Sequence, residues 1–428
     1  MKPVKRYFFV VRAYNDIDHF TPLIDYLTRN KLAQVFLFSS LHLGHLLPNE
    51  NLRYLERTYG IKPSYLLEKA ATGWVKRLEN IYVHISSFSS KLLLPVKIQI
   101  LVNKILGILY RFFQKQYKQK NYNWAAQIWK DVEPDLVVYD WVSPDSFPYL
   151  PITLLAKENN VPVISIPHGV SPFLDQKYTS KSQQHVKEAE RKRLEENLNF
   201  DWEVAHSQSN AQHMINRGVE KERIVVLGSV RFEDLWMKTQ SAVFKDYEFQ
   251  YKCKKNALKI VIFPNKLLYK GKISEIRDLV RATCKVSKCV VIKPHTRGMK
   301  IDFLRDLIVK HDIRVAMHET PSSLLIDWCD VGVVWGSSIG IQLLGKKKSL
   351  IYPQFVHDNS TIFSKHLPNC QALNIEHYIE LLSQLDSEKA CCYTDKQRMA
   401  LLEDQVYVGN SSDCIVRKYA DFFNKISS

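Results

Sequence analysis

Short apolar runs alternate with longer amphipathic stretches along the first half of the chain. The runs have strand length, and they occupy residues 6–11, 33–38, 134–141, 162–170, 202–207 and 223–228. The spacing of apolar residues predicts a helix from about residue 18 and a broken helical region over 50–118. Apolar strands separated by helices are typical of a parallel sheet with helices on both faces.

The same alternation begins again after a charge-rich stretch at 235–258. The strand-like runs there are 259–264, 289–295, 313–319, 331–336 and 349–355. We therefore predict an α/β protein with two doubly wound, Rossmann-like units, 1–234 and 259–428, joined by a linker at 235–258. Ligands of such sheets bind at the carboxyl ends of the strands, so the residues that follow each strand are the candidates for function.

Composition and charge exclude several classes of protein. Apolar residues make up 46% of the chain, which is enough for folded cores. No apolar stretch of about 20 residues lacks charge, so no membrane span is expected. The start of the chain has the pattern of a strand, not of a signal peptide. The net charge of +16 favours phosphorylated or polyanionic partners, but no nucleic-acid-binding signature accompanies it.

The eight cysteines all lie from Cys253 onward. They form no paired CxxC arrangement, so the sequence predicts neither a zinc site nor disulfides. Reduced thiols in a cytosolic protein are expected.

A glycine and two serines follow the run 331–336. Gly336 ends the predicted strand, Ser337 and Ser338 begin the next helix, and Gly340 lies in its first turn. Free N–H groups at the helix start and the serine hydroxyls suit an anion, and both glycines leave the backbone open to a ligand. The stretch predicts a phosphate site, with an ordinary helix cap as the alternative.

Three basic side chains, Lys293, His295 and Arg297, follow the apolar residues 290–292. Because parallel strands end at one edge, we expect them beside the serines, although a basic surface turn is the alternative. A protonated His295 would offset charge on a departing phosphate. Two further strand-end residues are assigned to the same donor site: Asn265 and Glu319.

His168 and Gly169 end a strand of the first unit, on the opposite side of the predicted cleft. A lone histidine is usually structural. At this position, a structural role and the role of a general base that takes the proton of an acceptor hydroxyl are about equally favoured.

The order of the segments HG, EVAHSQSNAQHMINRGVEKERIVVLGSVRFED, KPH and SSIG resembles GT-B transferases of bacterial surface polymers. The likeness is nearest to the CDP-glycerol glycerophosphotransferase and capsule-polysaccharide group, and the polysialyl- and Kdo-transferases are similar in their HP and SS motifs. UDP-GlcNAc 2-epimerases share the layout. The resemblance covers about residues 160–360. It implies the GT-B fold, with the acceptor bound by the first unit and a nucleotide-linked donor by the second.

By this resemblance, His168 matches the base-like histidine of the HG motif and His295 the phosphate-contacting histidine of the HP motif. Ser337 and Ser338 match the SS motif. Gln342 stands where family members often have a glutamate that holds the donor ribose, and it is expected to bind the donor in its place.

Two other positions also depart from the family pattern. Thr296 follows His295 where the HP motif continues with proline. Val170 follows the HG motif where glycerophosphate transferases have Thr-Pro, which favours a sugar donor over CDP-glycerol.

The stretch NDIDH contains Asp16 and Asp18, an Asp-x-Asp pair that holds a metal in GT-A enzymes. Here it follows the first strand, which is the wrong context for that fold, so no metal is expected. Asp16 is instead expected to touch the acceptor and is assigned to the catalytic site.

The sequence thus predicts a metal-independent GT-B glycosyltransferase without a cofactor. Its donor is a UDP-, CMP- or CDP-linked sugar, and its acceptor is an oligosaccharide or lipid-linked precursor of a cell-surface polysaccharide. Nucleic acid is not a partner. A sugar-nucleotide 2-epimerase and a non-catalytic nucleotide-sugar-binding protein are the alternatives.

An apolar face recurs at helical spacing over 96–118, and Lys97, Lys104, Arg111 and Lys118 recur every seven residues. Two interpretations stay open. The helix is either a core helix with a basic solvent side, or it lies on an anionic membrane surface. The second interpretation predicts a cytoplasmic enzyme held on the inner face of the cell membrane.

Overall fold

The structure is a computed structural model. It describes residues 4–12, 14–40, 49–68, 70, 77, 81, 104–105, 108–109, 112, 122–140, 142, 144–167, 169–170, 172–175, 177, 200–244, 251–265, 267, 270–295, 301–317, 320–388, 391–408 and 414–428. Three predicted site residues lie outside this part of the chain: His168, Arg297 and Glu319.

The first sheet has seven parallel strands in the order β3-β2-β1-β4-β5-β6-β7. They are β1 (Lys5–Val11), β2 (Ala33–Ser39), β3 (Ser64–Tyr65), β4 (Leu136–Asp140), β5 (Val163–Ile166), β6 (Trp202–Ala205) and β7 (Ile224–Val226). The strand order reverses between β1 and β4, so the carboxyl ends of these two strands flank the crevice of this sheet.

Helices cover the first sheet. They are α1 (Tyr14–Arg29), α2 (Glu50–Tyr59), α3 (Asn123–Val132), α4 (Leu150–Glu158) and α5 (Gln208–Asn216). The consecutive residues Tyr7 to Val11 of β1 are all at most 1% exposed. Side chains of a strand alternate between its two faces, so burial of every residue requires layers on both faces.

The second sheet has six parallel strands in the order β10-β9-β8-β11-β12-β13. They are β8 (Lys259–Phe263), β9 (Cys289–Ile292), β10 (Arg314–Val315), β11 (Val331–Val334), β12 (Ser349–Pro353) and β13 (Gln371–Ala372). The order reverses between β8 and β11. Asn265 and Gly336 follow these two strands, so they flank the crevice of the second sheet.

The helices that follow the first unit are α6 (Asp234–Val243), α7 (Ile273–Val286), α8 (Arg305–His311), α9 (Ser322–Trp328), α10 (Ile339–Gly345), α11 (Ile362–His366), α12 (Ile375–Glu388), α13 (Asp395–Gln405) and α14 (Ile415–Ile426). Most of α6 falls within the stretch predicted as a linker. The start of the predicted linker is therefore helical, and Trp236 and Phe244 in it are buried.

The last helix, α14, packs on the first sheet, although the sequence division placed it with the second unit. Phe423 contacts Tyr7 edge to face at 5.7 Å between ring centroids, and Phe422 contacts Trp202 at 5.4 Å. Tyr419 donates a hydrogen bond to the carbonyl of Gly228 at 2.9 Å. The apolar face of α14 thus finds its partners in the first domain. The division of the chain into two domains by a linker at 235–258 stays a prediction.

The prediction that the chain has no disulfides is wrong at one pair. Cys253 and Cys289 form a disulfide, with their Cα atoms 5.7 Å apart. Their separation of 36 residues matches no sequence pattern, and only the fold brings the start of β9 beside the segment that leads into β8. Within the described residues, no helix is both long enough and apolar enough to cross a membrane.

Candidate functional site

A cleft between the two domains is lined by residues of both. From the second domain its wall includes Lys293, Pro294, His295, Ser337, Ser338 and Gln342, and from the first domain and α6 it includes Asp18, Asn51, Arg231, Trp236 and Gln240. The sequence therefore predicted correctly that the strand-end residues of KPH and SSIG share one cavity.

Gly336 forms the turn between β11 and α10. Its φ of +60° is a conformation that favours glycine. A Cβ atom there would lie 2.2 Å from Nδ2 of Asn265 and 2.4 Å from the ring of Phe173. Both the backbone angle and the close neighbours therefore require glycine. The turn sets Ser337 and Ser338 at the cleft wall.

Asn265 holds this turn in place. Its Nδ2 donates a hydrogen bond to the carbonyl of Gly336 at 2.5 Å, and the residue is 3% exposed. The sequence assigned Asn265 to the donor. The structure places it behind the serine turn, where it fixes the loop that lines the cleft.

Gly340 was predicted to admit a ligand to the backbone, but its open side is filled. A Cβ atom there would lie 2.4 Å from the ring of Phe363. The residue is buried in the second-domain core. Close packing of an aromatic ring accounts for this glycine.

The basic strand end contributes positive charge to the cleft wall. Lys293 follows β9 and is 3% exposed, although its side chain lines the cleft. His295 is partly exposed and lies on the same wall. A charge that is screened so little by water interacts strongly with an anionic ligand.

Gln342 lies in α10 and is 2% exposed. Its Nε2 donates a hydrogen bond to Oε1 of Gln240 in α6 at 2.9 Å. Among the described residues, its own Oε1 has no hydrogen-bond partner. A buried carbonyl oxygen without a donor costs free energy, so this atom is ready to accept from a ligand hydroxyl or N–H group.

The HG turn lies between the two domains. The N–H of Gly169 donates to Nε2 of His19 at 2.9 Å, and a Cβ atom at Gly169 would lie 4.0 Å from Oγ of Ser338. The neutral ring of His19 therefore carries its proton on Nδ1. Sequence reasoning missed His19, because nothing in its local sequence distinguishes it from an ordinary helical residue.

The segment after the HG turn is bound to the second domain. Phe173 forms an antiparallel bridge with Thr361. The N–H of Leu174 donates to the carbonyl of Ser360 at 2.9 Å, and the N–H of Ile362 donates to the carbonyl of Pro172 at 2.9 Å. The strand end that bears the HG motif is thereby tied to the domain that bears the serine turn.

His357 packs against Phe173 at this junction. Its ring contacts Phe173 edge to face at 5.5 Å between centroids. Its Nδ1 accepts from the N–H of Asn359 at 3.0 Å, so Nε2 bears the proton and donates to the hydroxyl of Tyr352 at 2.6 Å. Burial lowers the pKa of His357 to about 4, so the ring is neutral at neutral pH.

Asp16 and Asp18 of the NDIDH stretch have different surroundings. Asp16 is fully buried, and its Oδ2 accepts from the N–H of Arg12 at 2.9 Å. Asp18 lines the cleft. Its Oδ1 accepts from Nδ2 of Asn51 at 2.7 Å, and burial raises the pKa of its carboxyl against the opposing effects of Arg231 and Asn51. Of the two aspartates it is therefore Asp18, to which the sequence assigned no role, that lies in the cleft wall, where Glu50 of α2 is a second first-domain carboxylate.

The described residues contain no group of three or more His, Cys, Asp or Glu side chains that could hold a metal ion. A reaction without metal stays a prediction.

No protein-family model matches the chain, and no curated protein matches it in sequence. Solved structures match over nearly its whole length. The UDP-bound MnaA of S. aureus is 12% identical with a TM-score of 0.53, covering 99% of this chain and 98% of that one. The UDP-GlcNAc 2-epimerase of Neisseria meningitidis bound to UDP-GlcNAc is 13% identical with a TM-score of 0.54, covering 98% and 99%. The wall teichoic acid polymerase TagF is 11% identical with a TM-score of 0.54, covering 99% and 89%.

At these identities the likeness shows the fold alone. Two parallel doubly wound sheets facing a cleft, matched over both domains, define the GT-B fold, so the predicted fold class is confirmed. An epimerase and a polymerase both share this likeness, so it shows the fold and identifies no particular group of proteins that have it.

Proposed function

We propose that the chain is a metal-independent GT-B glycosyltransferase that moves a sugar from a nucleotide-activated donor to an acceptor hydroxyl. The observation that supports this most strongly is the pairing of two walls in one cleft. Lys293, His295 and the Ser337–Ser338 turn line the second-domain side, and the HG turn adjoins Ser338 from the first.

The second-domain wall has the chemistry of a phosphate site. It combines the ammonium of Lys293, the imidazole of His295 and two hydroxyls. Charge-assisted hydrogen bonds of this kind are among the strongest that proteins make to phosphate. The buried Oε1 of Gln342 adds an acceptor for a hydroxyl of the nucleotide. MnaA with UDP and the Neisseria epimerase with UDP-GlcNAc support a nucleotide sugar as the ligand of this fold.

The reaction divides between the two walls. The acceptor oxygen forms a bond to the anomeric carbon, and the bond from that carbon to the donor phosphate oxygen breaks. The acceptor proton passes to His168 as general base. Lys293, His295 and the serine hydroxyls stabilise the negative charge that develops on the departing phosphate.

The acceptor is a cell-surface polysaccharide or its lipid-linked precursor, at the inner face of the membrane. The described part of 96–118 supports this location. Leu109 and Phe112 pack against the core of the first domain, whereas Ile105 and Ile108 are 50% and 59% exposed beside an exposed Lys104. Exposed apolar side chains next to basic ones suit a lipid surface with anionic headgroups.

A sugar-nucleotide 2-epimerase is the second candidate, because the UDP-GlcNAc 2-epimerase of Neisseria meningitidis, bound to UDP-GlcNAc, matches nearly the whole chain in structure. Epimerisation needs no acceptor, and this separates the two reactions.

The test is incubation with UDP-, CDP- and CMP-linked sugars, with and without a lipid extract or oligosaccharide acceptor. Release of the nucleotide only when acceptor is present supports transfer. An isomerised donor without acceptor establishes the epimerase, and binding of donors without any product shows a protein that has no catalytic activity.

A further inference from the structure

The first-domain wall of the cleft bears a polar group that the proposed catalytic step does not use. It consists of Asp18, Asn51 and Arg231, which we call the Asp18 cluster. All three side chains line the cleft that also contains Ser337 and His295. They come from α1, from the first turn of α2 and from the connection before α6, so only the fold brings them together.

The cluster is fixed in position by its neighbours. Asn51 lies in the first turn of α2, where its backbone N–H donates to the capping oxygen of Asn49 at 2.9 Å. Its side chain then donates to Oδ1 of Asp18 at 2.7 Å. The guanidinium of Arg231 lies 5.3 Å from the ring centroid of Phe232. Asp18 and Asn51 are thus held by hydrogen bonds without help from a ligand.

The carboxylate and the guanidinium form an ion pair that is not a hydrogen bond. Oδ2 of Asp18 lies 3.6 Å from Nη2 of Arg231, which is beyond hydrogen-bonding distance. Asp18 keeps acceptor capacity at Oδ2. Within the described chain, Arg231 donates no hydrogen bond to another residue, so its N–H groups remain for a ligand.

This arrangement matches neighbouring hydroxyl groups of a neutral sugar ring. One hydroxyl donates to Oδ2 of Asp18, and the oxygen of the next accepts from Arg231. The opposite charges of the pair cancel, so the cluster attracts neither a phosphate nor an amine strongly. Trp236 and Phe244, which are buried and line the same wall, supply apolar surface for the face of the ring.

We infer that the Asp18 cluster is the subsite for the acceptor's terminal neutral sugar, an inference that rests on the proposed function. It would hold that sugar on the wall facing the donor phosphate groups. The sugar of the donor itself has the same chemistry, and the experiment separates these two sources.

The experiment is saturation-transfer NMR on the full chain with the methyl glycosides of glucose, galactose and N-acetylglucosamine. UDP, CDP or CMP is present at saturation to occupy the nucleotide site, and glycerol 3-phosphate is the anionic comparison. We expect binding of at least one methyl glycoside and none of glycerol 3-phosphate. Asp18→Asn should weaken the glycoside about tenfold, the scale of one hydrogen bond to a charged group, and leave nucleotide affinity unchanged.

Arg231→Gln is the second variant, and it should weaken the same glycoside while retaining the wild-type unfolding temperature. Glu56→Gln is the matched control, because this exposed glutamate of α2 pairs with Lys62 away from the cleft and should change nothing.

Three results would overturn the inference. The first is that no glycoside binds the wild type. The second is that one binds equally well to Asp18→Asn. The third is that the variants bind nucleotide sugars more weakly, while their affinity for the bare nucleotide and for the methyl glycosides stays that of the wild type. That result would assign the cluster to the donor sugar. None of these readouts requires turnover, so they are independent of whether transfer occurs.

Discussion

Gly169 of the first domain faces Ser338 of the second, because a Cβ atom added at Gly169 would lie 4.0 Å from Oγ of Ser338. The motif assigned to the base and the motif assigned to the phosphate therefore adjoin each other. In a transfer reaction the acceptor oxygen and the departing phosphate oxygen bind the same carbon, so a base and a phosphate site must lie this close together.

His168→Ala should lower turnover by about 100-fold or more, the usual scale for loss of a general base. Donor affinity should stay close to that of the wild type, because the phosphate groups lie on the other wall. Steady-state kinetics and calorimetry on the same preparation measure the two quantities. His213→Ala, at an exposed position of α5, is the matched control. Unchanged turnover in His168→Ala would remove this residue from the mechanism.

His357 should make stability depend on pH. Burial lowers its pKa to about 4, whereas a histidine in the unfolded chain titrates near 6.5. Between these values the unfolded chain binds a proton that the folded chain does not. The contribution to the free energy of unfolding is therefore complete above pH 6.5 and is lost as the pH falls towards 4, by up to about 3 kcal/mol.

Urea unfolding at several pH values between about 4 and 7 measures this slope. In His357→Gln the free energy of unfolding should vary less across that window. His213→Gln should leave the slope unchanged, because that side chain is exposed. An equally steep slope in His357→Gln would show that other groups cause the acid sensitivity.

The chain should bind anionic liposomes in a salt-sensitive manner and bind neutral ones weakly or not at all. Each basic side chain near an anionic surface contributes up to about 1 kcal/mol. Changing Lys97, Lys104, Arg111 and Lys118 together to Gln should reduce sedimentation with the vesicles. Ile105→Ser with Ile108→Ser should reduce it at any salt concentration, since these two side chains are exposed.

Thermal unfolding of the variants should match that of the wild type. Equal sedimentation with neutral and anionic vesicles, or none with either, would contradict the membrane assignment. A soluble acceptor would then be the better proposal.

The apolar runs of the sequence predicted both parallel sheets, because strands buried on both faces are apolar throughout. Two short edge strands, β3 and β13, were missed, since two residues are too few to produce a period. Of the described residues in the run 313–319, only Arg314–Val315 form a strand. The place of α14 on the first sheet was not predictable from local pattern, because an amphipathic helix does not specify which domain covers it.

The site could be predicted as far as strand ends determine it. Lys293, His295 and Ser337 lie in the cleft, as parallel topology requires. The pattern could not separate Asp16, buried against the backbone of Arg12, from Asp18, which faces the cleft. It also could not show that the space beside Gly340 is filled by Phe363. Both outcomes depend on tertiary packing.

The central claim is that the donor phosphate binds at Ser337 and Ser338. Calorimetry with UDP, CDP and CMP tests it most directly, comparing the wild type with a variant that combines Ser337→Ala and Ser338→Ala. The proposal predicts that the nucleotide preferred by the wild type binds the variant about tenfold more weakly, as the loss of hydrogen bonds to a charged phosphate requires. Equal affinity in the variant, or no binding of any of the three nucleotides to the wild type, would contradict it.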